Sequence, residues 1–168
     1  MTKPVLPDAE ELLAALTAQM RPHVTAQTGL VGIVTGGAWL AERLHRELKL
    51  EVPHGSLDVS FYRDDFQHKG LKHQVTPSAI PFEVEGRDLI LVDDVLYTGR
   101  TIRAAMNELF DYGRPARIRL AALVDRGGRE LPIAAQFVGA ALAVPAQYSI
   151  DLEQAEGGKL RLVLQTKN

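Results

Sequence analysis

Apolar positions along the chain change period several times, and each change marks an element. Leu12, Leu13, Leu16 and Met20 fall on overlapping helical turns. Asp8, with Glu11 three residues on, resembles a capping box, so a first helix is predicted to end near Pro22. Leu30-Val31-Gly32-Ile33-Val34 reads as a short buried strand, Thr35-Gly36-Gly37 as a turn, and Trp39, Leu40, Arg43, Leu44 and Leu48 as the stripe of a second helix. Residues 56–62 alternate, with Leu57, Val59 and Phe61 against Ser56, Asp58 and Ser60, which predicts a half-exposed strand. Over residues 63–77 no period survives: charges, two histidines and Gly70 leave little apolar surface to pack, and a mobile loop or hairpin is expected.

Leu89-Ile90-Leu91-Val92 restores a continuous apolar run of the kind buried on both faces of a parallel sheet. Ile102, Ala105, Met106, Leu109 and Phe110 follow at helical spacing, and Gly113-Arg114-Pro115 closes that helix. Residues 118–124 predict another strand. Shorter strands are expected near 136–139 and 160–164 to complete the sheet, with Gly157-Gly158 as a turn before the last. Strands alternating with helices predict an α/β fold: a mostly parallel sheet flanked by helices on both faces, with a flexible hood loop, in one domain over residues 1–168.

Composition narrows the function. At 168 residues and 46% hydrophobic content the chain has enough apolar side chains for a full core. It has no cysteine, which excludes disulfides and thiolate metal sites. Met1-Thr2-Lys3-Pro4 opens no apolar run of signal-peptide length, so a cytoplasmic protein is expected. Nineteen Lys and Arg against 21 Asp and Glu give a net charge of −2 and no global field drawing the chain onto nucleic acid; an RNA contact would need a local basic patch. None of the five histidines has metal-ligand spacing with a second histidine and an acid.

The chemistry concentrates after residues 89–92. Thr98, Gly99, Arg100 and Thr101 supply successive backbone N–H groups, two hydroxyls and a helix amino end, a combination that holds a phosphate monoester. Asp93 and Asp94 just before them would repel phosphate oxygens but accept hydrogen bonds from sugar hydroxyls or help hold hydrated Mg²⁺. Acids followed by a phosphate cradle suggest a phosphorylated ribose. The plainer alternative is an acidic pair that merely ends a strand in solvent. A nucleoside-triphosphatase would need Gly-x-x-x-x-Gly-Lys with Ser or Thr, and a dinucleotide fold Gly-x-Gly-x-x-Gly at a strand end; neither occurs.

An apolar strand, two acids and a Thr-Gly-x-Thr loop resemble the type I phosphoribosyltransferases. Val92-Asp93-Asp94-Val95-Leu96-Tyr97-Thr98-Gly99-Arg100-Thr101, Phe61-Tyr62-Arg63-Asp64-Asp65 and Leu123-Val124-Asp125-Arg126-Gly127-Gly128-Arg129-Glu130-Leu131-Pro132-Ile133 together resemble the PyrR family. That family combines pyrimidine-operon regulation with uracil phosphoribosyltransferase activity. The resemblance implies synthesis of UMP and pyrophosphate from uracil and 5-phosphoribosyl 1-pyrophosphate (PRPP), with Mg²⁺ carried by the substrate and no dedicated metal site. It implies that Asp93 and Asp94 are catalytic and bind the ribose hydroxyls, with residues 93–101 holding ribose and 5-phosphate. By the same likeness Thr35-Gly36-Gly37 is a pyrophosphate loop, although the family usually has Arg where Gly36 stands. Arg63, Val124 and Arg126 fall on the base side and hood.

Tyr97 stands where purine enzymes of this kind commonly carry a carboxylate, which argues against purines; it could equally be a packing residue. A homodimer or higher homo-oligomer is implied. The family's regulatory role suggests contact with a messenger RNA leader through Arg126 and Arg129, from a candidate patch that also includes Arg114, Arg117 and Arg119, with Arg21 and His23 near the first helix. Two departures weaken that role: residues 12–20 contain no Lys or Arg, and Gly128 stands where RNA-binding members tend to have His. The alternative readings are a weakly catalytic or non-catalytic RNA-binding attenuator that uses the site as a nucleotide sensor, and a transferase for another base.

Overall fold

The computed structural model describes residues 2–59 and 78–168. The expected hood loop, with Arg63, and the last three residues of the predicted 56–62 strand therefore lie outside the described residues. Five parallel strands, β1 (Gly29–Ile33), β2 (Gly55–Leu57), β3 (Asp88–Leu96), β4 (Arg117–Asp125) and β5 (Phe137–Ala141), form one sheet in the order β2-β1-β3-β4-β5. All of β1 and residues 89–94 of β3 are buried, as a strand covered on both faces requires.

Helices α1 (Ala9–Met20) and α2 (Gly36–Leu48) cover one face, where Leu16, Met20, Leu40 and Leu44 meet Leu30, Ile90, Val92 and Ala121. Helix α3 (Arg100–Phe110) covers the other, where Ile102, Ala105 and Leu109 meet Val31, Leu89, Leu91, Leu120 and Ala122. The two-residue alternation of the central strands thus feeds two separate cores. The Asp8 carboxylate caps α1, accepting the N–H groups of Glu10 at 2.8 Å and Glu11 at 3.3 Å. Pro22 lies in the single 3₁₀ turn that follows, where its missing N–H costs nothing. Among the described residues no helix is long and apolar enough to cross a membrane.

Three expectations change. The segment after residue 55 is a three-residue parallel strand, and Leu57, Asp58 and Val59 are all buried, so it is not half-exposed. The strand near 160–164 does not complete the sheet: β7 (Leu160–Thr166) pairs antiparallel with β6 (Tyr148–Gln154) in a separate hairpin whose Ile150, Leu152 and Leu160 join the α1–α2 core. Phe110, counted with the α3 stripe, is 56% exposed.

Sheet register opens the site. The chain leaves β1 for β2 on one side and returns to β3 on the other, so the carboxyl ends of β1 and β3 flank a topological switch point, where ligands of open α/β sheets bind. β3 pairs with β1 only as far as Val92, opposite Gly32, but stays paired with β4 out to Leu96, opposite Asp125. From Asp93 onward β3 therefore has a neighbour on one side and a crevice on the other.

Candidate active site

Asp93 and Asp94 lie inside β3 rather than in a turn beyond it, because the β4 ladder carries the strand past them. They are 2% and 6% exposed, which excludes the plain reading of a strand ending in solvent. Asp93 Oδ1 accepts the Asp94 N–H at 2.9 Å, and Asp94 Oδ1 accepts the Val95 N–H at 2.8 Å, so local backbone bonds fix both carboxylates. Of the seven buried polar or charged side chains among the described residues, Asp93, Asp94, Thr98 and Arg126 belong to this region.

The amino end of α2 lies directly against this pair. A Cβ on Gly36 would stand 2.5 Å from Asp94 Oδ2, and one on Gly37 would stand 2.3 Å from the Val92 carbonyl oxygen. Glycine at both positions lets the helix start sit on the β3 backbone with no side chain between. Thr35 makes no side-chain cap and the first turn holds no acid, so the helix dipole and its first N–H groups face the carboxylates and the crevice. The Val34–Thr35 peptide bond leading into the turn is cis. The three residues of the predicted pyrophosphate loop are thus beside the acidic pair.

The 97–101 turn runs from β3 into α3 with Gly99 at φ +97° as the N-cap, a left-handed conformation suited to glycine. Thr98 Oγ1 accepts the Arg100 N–H at 3.2 Å, and the N-cap Gly99 itself makes no side-chain bond to the first turn. Residues 125–133 wrap around the back of this turn and bind three successive carbonyls. The Arg126 N–H bonds Leu96 O at 3.1 Å, Arg129 Nη1 bonds Tyr97 O at 2.6 Å, and the N–H groups of Glu130 and Leu131 bond Thr98 O at 3.0 and 3.2 Å. Ile133 and Leu131 pack where a Gly99 side chain would be.

The other predicted residues have framework places. Leu96 and Val124 are core side chains, and Val95 is half-buried against the α1–α2 core. Arg100 turns outward to pair with Glu130 at 3.1 Å. Tyr97 is a packing residue: its ring lies under the Arg126 guanidinium at 4.1 Å, near Lys167 at 5.3 Å, and fills the space beside Gly128. A His at 128 would collide with that ring, since a Cβ there would stand 2.4 Å from Tyr97 Cε1.

The arginines do not form one basic patch. Arg117 and Arg119 share Asp88 at the start of β4, while Arg126 and Arg129 follow its end, about 30 Å away at strand rise. Arg126, 6% exposed, donates to the carbonyls of Tyr148, Val144 and Pro145, and Arg129 pairs with Asp125. Burial raises the Asp125 pKa, but the Arg129 hydrogen bond, the Gly127 N–H and the Arg129 charge outweigh it and hold the carboxyl below its ordinary value. Asp125, Glu130 and the carbonyls of the 144–148 segment were not predicted. The Asp-Arg-x-x-Arg spacing of residues 125–129 was the one hint of them.

The phosphoribosyl transferase domain profile matches residues 6–148. The bifunctional protein PyrR of Pseudomonas aeruginosa is 56% identical over 144 residues, covering 83% of this chain and 84% of its own length. That of Ralstonia nicotianae is 51% identical over 159 residues, covering 92% and 91%. Among solved structures, a hypoxanthine-guanine phosphoribosyltransferase of Bacillus anthracis superposes with a TM-score of 0.66 at 21% identity, over 85% of this chain and 86% of that one. A Leishmania tarentolae homologue of that enzyme superposes with a TM-score of 0.61 at 19% identity, over 84% and 82%. These two show a shared fold. With a matching domain profile and relatives above 50% identity over most of its length, the chain belongs to the phosphoribosyltransferases and, among them, to the PyrR family.

Proposed function

We propose that this chain is a cytoplasmic uracil phosphoribosyltransferase that makes UMP and pyrophosphate from uracil and PRPP, and that it also serves as a UMP-responsive regulator of pyrimidine-biosynthesis genes. The observation that carries the catalytic reading is the buried Asp93–Asp94 pair, placed at the sheet's switch point against the uncapped amino end of α2 and followed at once by that of α3. The 98–101 turn would anchor the 5-phosphate, Asp93 and Asp94 would accept hydrogen bonds from the ribose hydroxyls, and the amino end of α2 would receive the pyrophosphate. Two ends of one substrate are then held by two helices while its sugar crosses the acids.

Transfer would proceed through a sugar cation of oxocarbenium character, and the buried carboxylates would stabilise its developing positive charge. Fixed dipoles at the α2 amino end favour the departing anion. Little proton transfer is needed, and Tyr97, packed under Arg126, offers no carboxylate to a purine ring. Mg²⁺ fits as an ion arriving on the pyrophosphate. Asp93 and Asp94, two hard oxygen donors side by side, would help hold it. When bound, it supplies charge neutralisation to the leaving group.

A panel of uracil, orotate, hypoxanthine and guanine with PRPP tests this reading. Uracil is expected to turn over, with kcat/KM falling about 10²-fold or more for Asp93→Asn or Asp94→Asn. Turnover of a purine but not of uracil would refute it. The regulatory half draws support from relatives described as bifunctional. It predicts UMP-strengthened binding to a folded leader RNA that resists moderate salt; salt-labile binding to any RNA would defeat it. Arg126 and Arg129 would act there by holding the 126–130 loop in shape, since their guanidinium groups point inward.

A further inference from the structure

We propose that Arg129 is a positioning residue for the phosphate-binding turn: its guanidinium locks the base-side loop to the Tyr97 carbonyl and so aims the backbone donors of the turn. The inference rests on the reading of residues 98–101 as the 5-phosphate anchor. Arg129 makes a fork with four ends. Nη1 donates to Tyr97 O at 2.6 Å and to Gly127 O at 3.4 Å, Nε donates to Ile133 O at 2.9 Å, and Nη2 pairs with the Asp125 carboxylate. One side chain thereby ties together the end of β4, both limbs of the 125–133 loop, and the turn.

The consequence follows from peptide planarity. In a trans peptide the N–H points opposite the C=O, so fixing a carbonyl fixes the direction of the next residue's N–H. With Tyr97 O held by Arg129 and Thr98 O held by the N–H groups of Glu130 and Leu131, the amides of Thr98 and Gly99 are turned away from the 125–133 loop. Successive N–H groups turned to one side make an anion-binding concavity. The Thr98 plane is set by backbone alone, whereas the Tyr97 plane depends on a side chain. The guanidinium reaches these four acceptors from three separate nitrogens, whereas an ammonium's three donors radiate from one; it keeps the charge but not the geometry.

Asp125 completes the device. It accepts the Gly127 N–H at 2.9 Å and holds the guanidinium in register, so Arg129 is anchored from the β4 side before it reaches the turn. The inference separates Arg129 from a purely structural ion pair. A structural pair needs only the charge; a positioning residue needs the fork.

The test compares wild type, Arg129→Lys, Arg129→Gln and Thr101→Val by titration calorimetry with ribose 5-phosphate, by KM and kcat for PRPP, and by thermal unfolding. Arg129→Lys is expected to keep most of the unfolding temperature, yet to weaken ribose 5-phosphate binding about tenfold and raise KM for PRPP similarly, with a smaller change in kcat. Arg129→Gln should do the same with a lower unfolding temperature. Wild-type binding and KM in Arg129→Lys would overturn the inference, since charge alone then suffices. If wild type does not bind ribose 5-phosphate, or Thr101→Val binds it as well as wild type does, the reading of the turn as the phosphate anchor fails first.

Discussion

The smallest features of the site are the glycines that bring α2 onto β3. A Cβ on Gly37 meets backbone, 2.3 Å from Val92 O, and one on Gly32 meets Gly37 O at 2.4 Å, so neither clash can be relieved by a rotamer change. The clash at Gly36 is with a side chain, the Asp94 carboxylate, which must give up its bond to the Val95 N–H to move away. Two alanines at adjacent positions should therefore fail differently. Gly37→Ala is expected to cost about 1–3 kcal/mol of stability, as overpacking does, lowering the unfolding temperature by several degrees. Gly36→Ala should change that temperature less, while swinging Asp94 off the ribose position and lowering kcat/KM for PRPP about tenfold or more. Paired melting curves and kinetics check this; loss of stability at 36 with unchanged kinetics would contradict it.

At the scale of elements, what could be read from sequence was what depends on neighbours in the chain. The periodicities of α1, α2 and α3, the apolar run of β1 and the motif of residues 93–101 are local, and each appears where the pattern puts it. Pairing between distant segments was not legible. That β3 continues through Asp93 and Asp94 depends on the length of β4, and β6 offers only Ile150 and Leu152 as buried alternating positions, too few to announce a strand. Arg129 reads as a surface cation until Tyr97 O, 32 residues away in sequence, is placed beside it. Another such link ties elements together at Glu10. Its carboxylate accepts both Arg43 Nη groups, at 3.1 and 2.7 Å, and the Leu160 N–H at 3.0 Å, joining α1, α2 and β7. The Arg43 hydrogen bond holds its pKa below the ordinary value near 4.5, with burial opposing and the Leu160 N–H assisting. A depressed carboxyl pKa stabilises above the unfolded value and loses that contribution as pH falls through the folded one. Glu10→Gln should thus be less stable than wild type near pH 7, by about 1 kcal/mol for a pair this exposed. The difference should shrink toward zero in acid, as pH falls through the lowered folded-state pKa. Thermal midpoints near pH 7 and in acid check it, and a gap that persists in acid would assign the effect to packing.

Seen whole, the molecule would, on the proposed reading, divide its substrate between its two cores. α2 belongs to the core on one face of the sheet and α3 to the core on the other, and their amino ends meet only at the crevice where β1 stops pairing with β3. On that reading a ligand with a phosphate at each end would engage both, while a nucleoside monophosphate would bring an anion for α3 alone. Backbone amide exchange can distinguish these cases, because the first N–H groups of a helix have no partner within it and gain protection mainly when something else binds them. PRPP with Mg²⁺, in the absence of uracil, is expected to slow exchange at the starts of both helices, residues 36–37 and 98–102; the Ala38 and Trp39 N–H groups already bond Thr35 O. UMP is expected to slow exchange at 98–102 and in the 125–133 loop, while leaving 36–37 at the rate of the free protein. The contrast follows from charge placement rather than from affinity, so it should hold at saturating concentrations of either ligand. Equal protection of 36–37 by UMP would mean that the α2 start responds to closure of the whole crevice. The assignment of pyrophosphate to that helix end would then have to be given up.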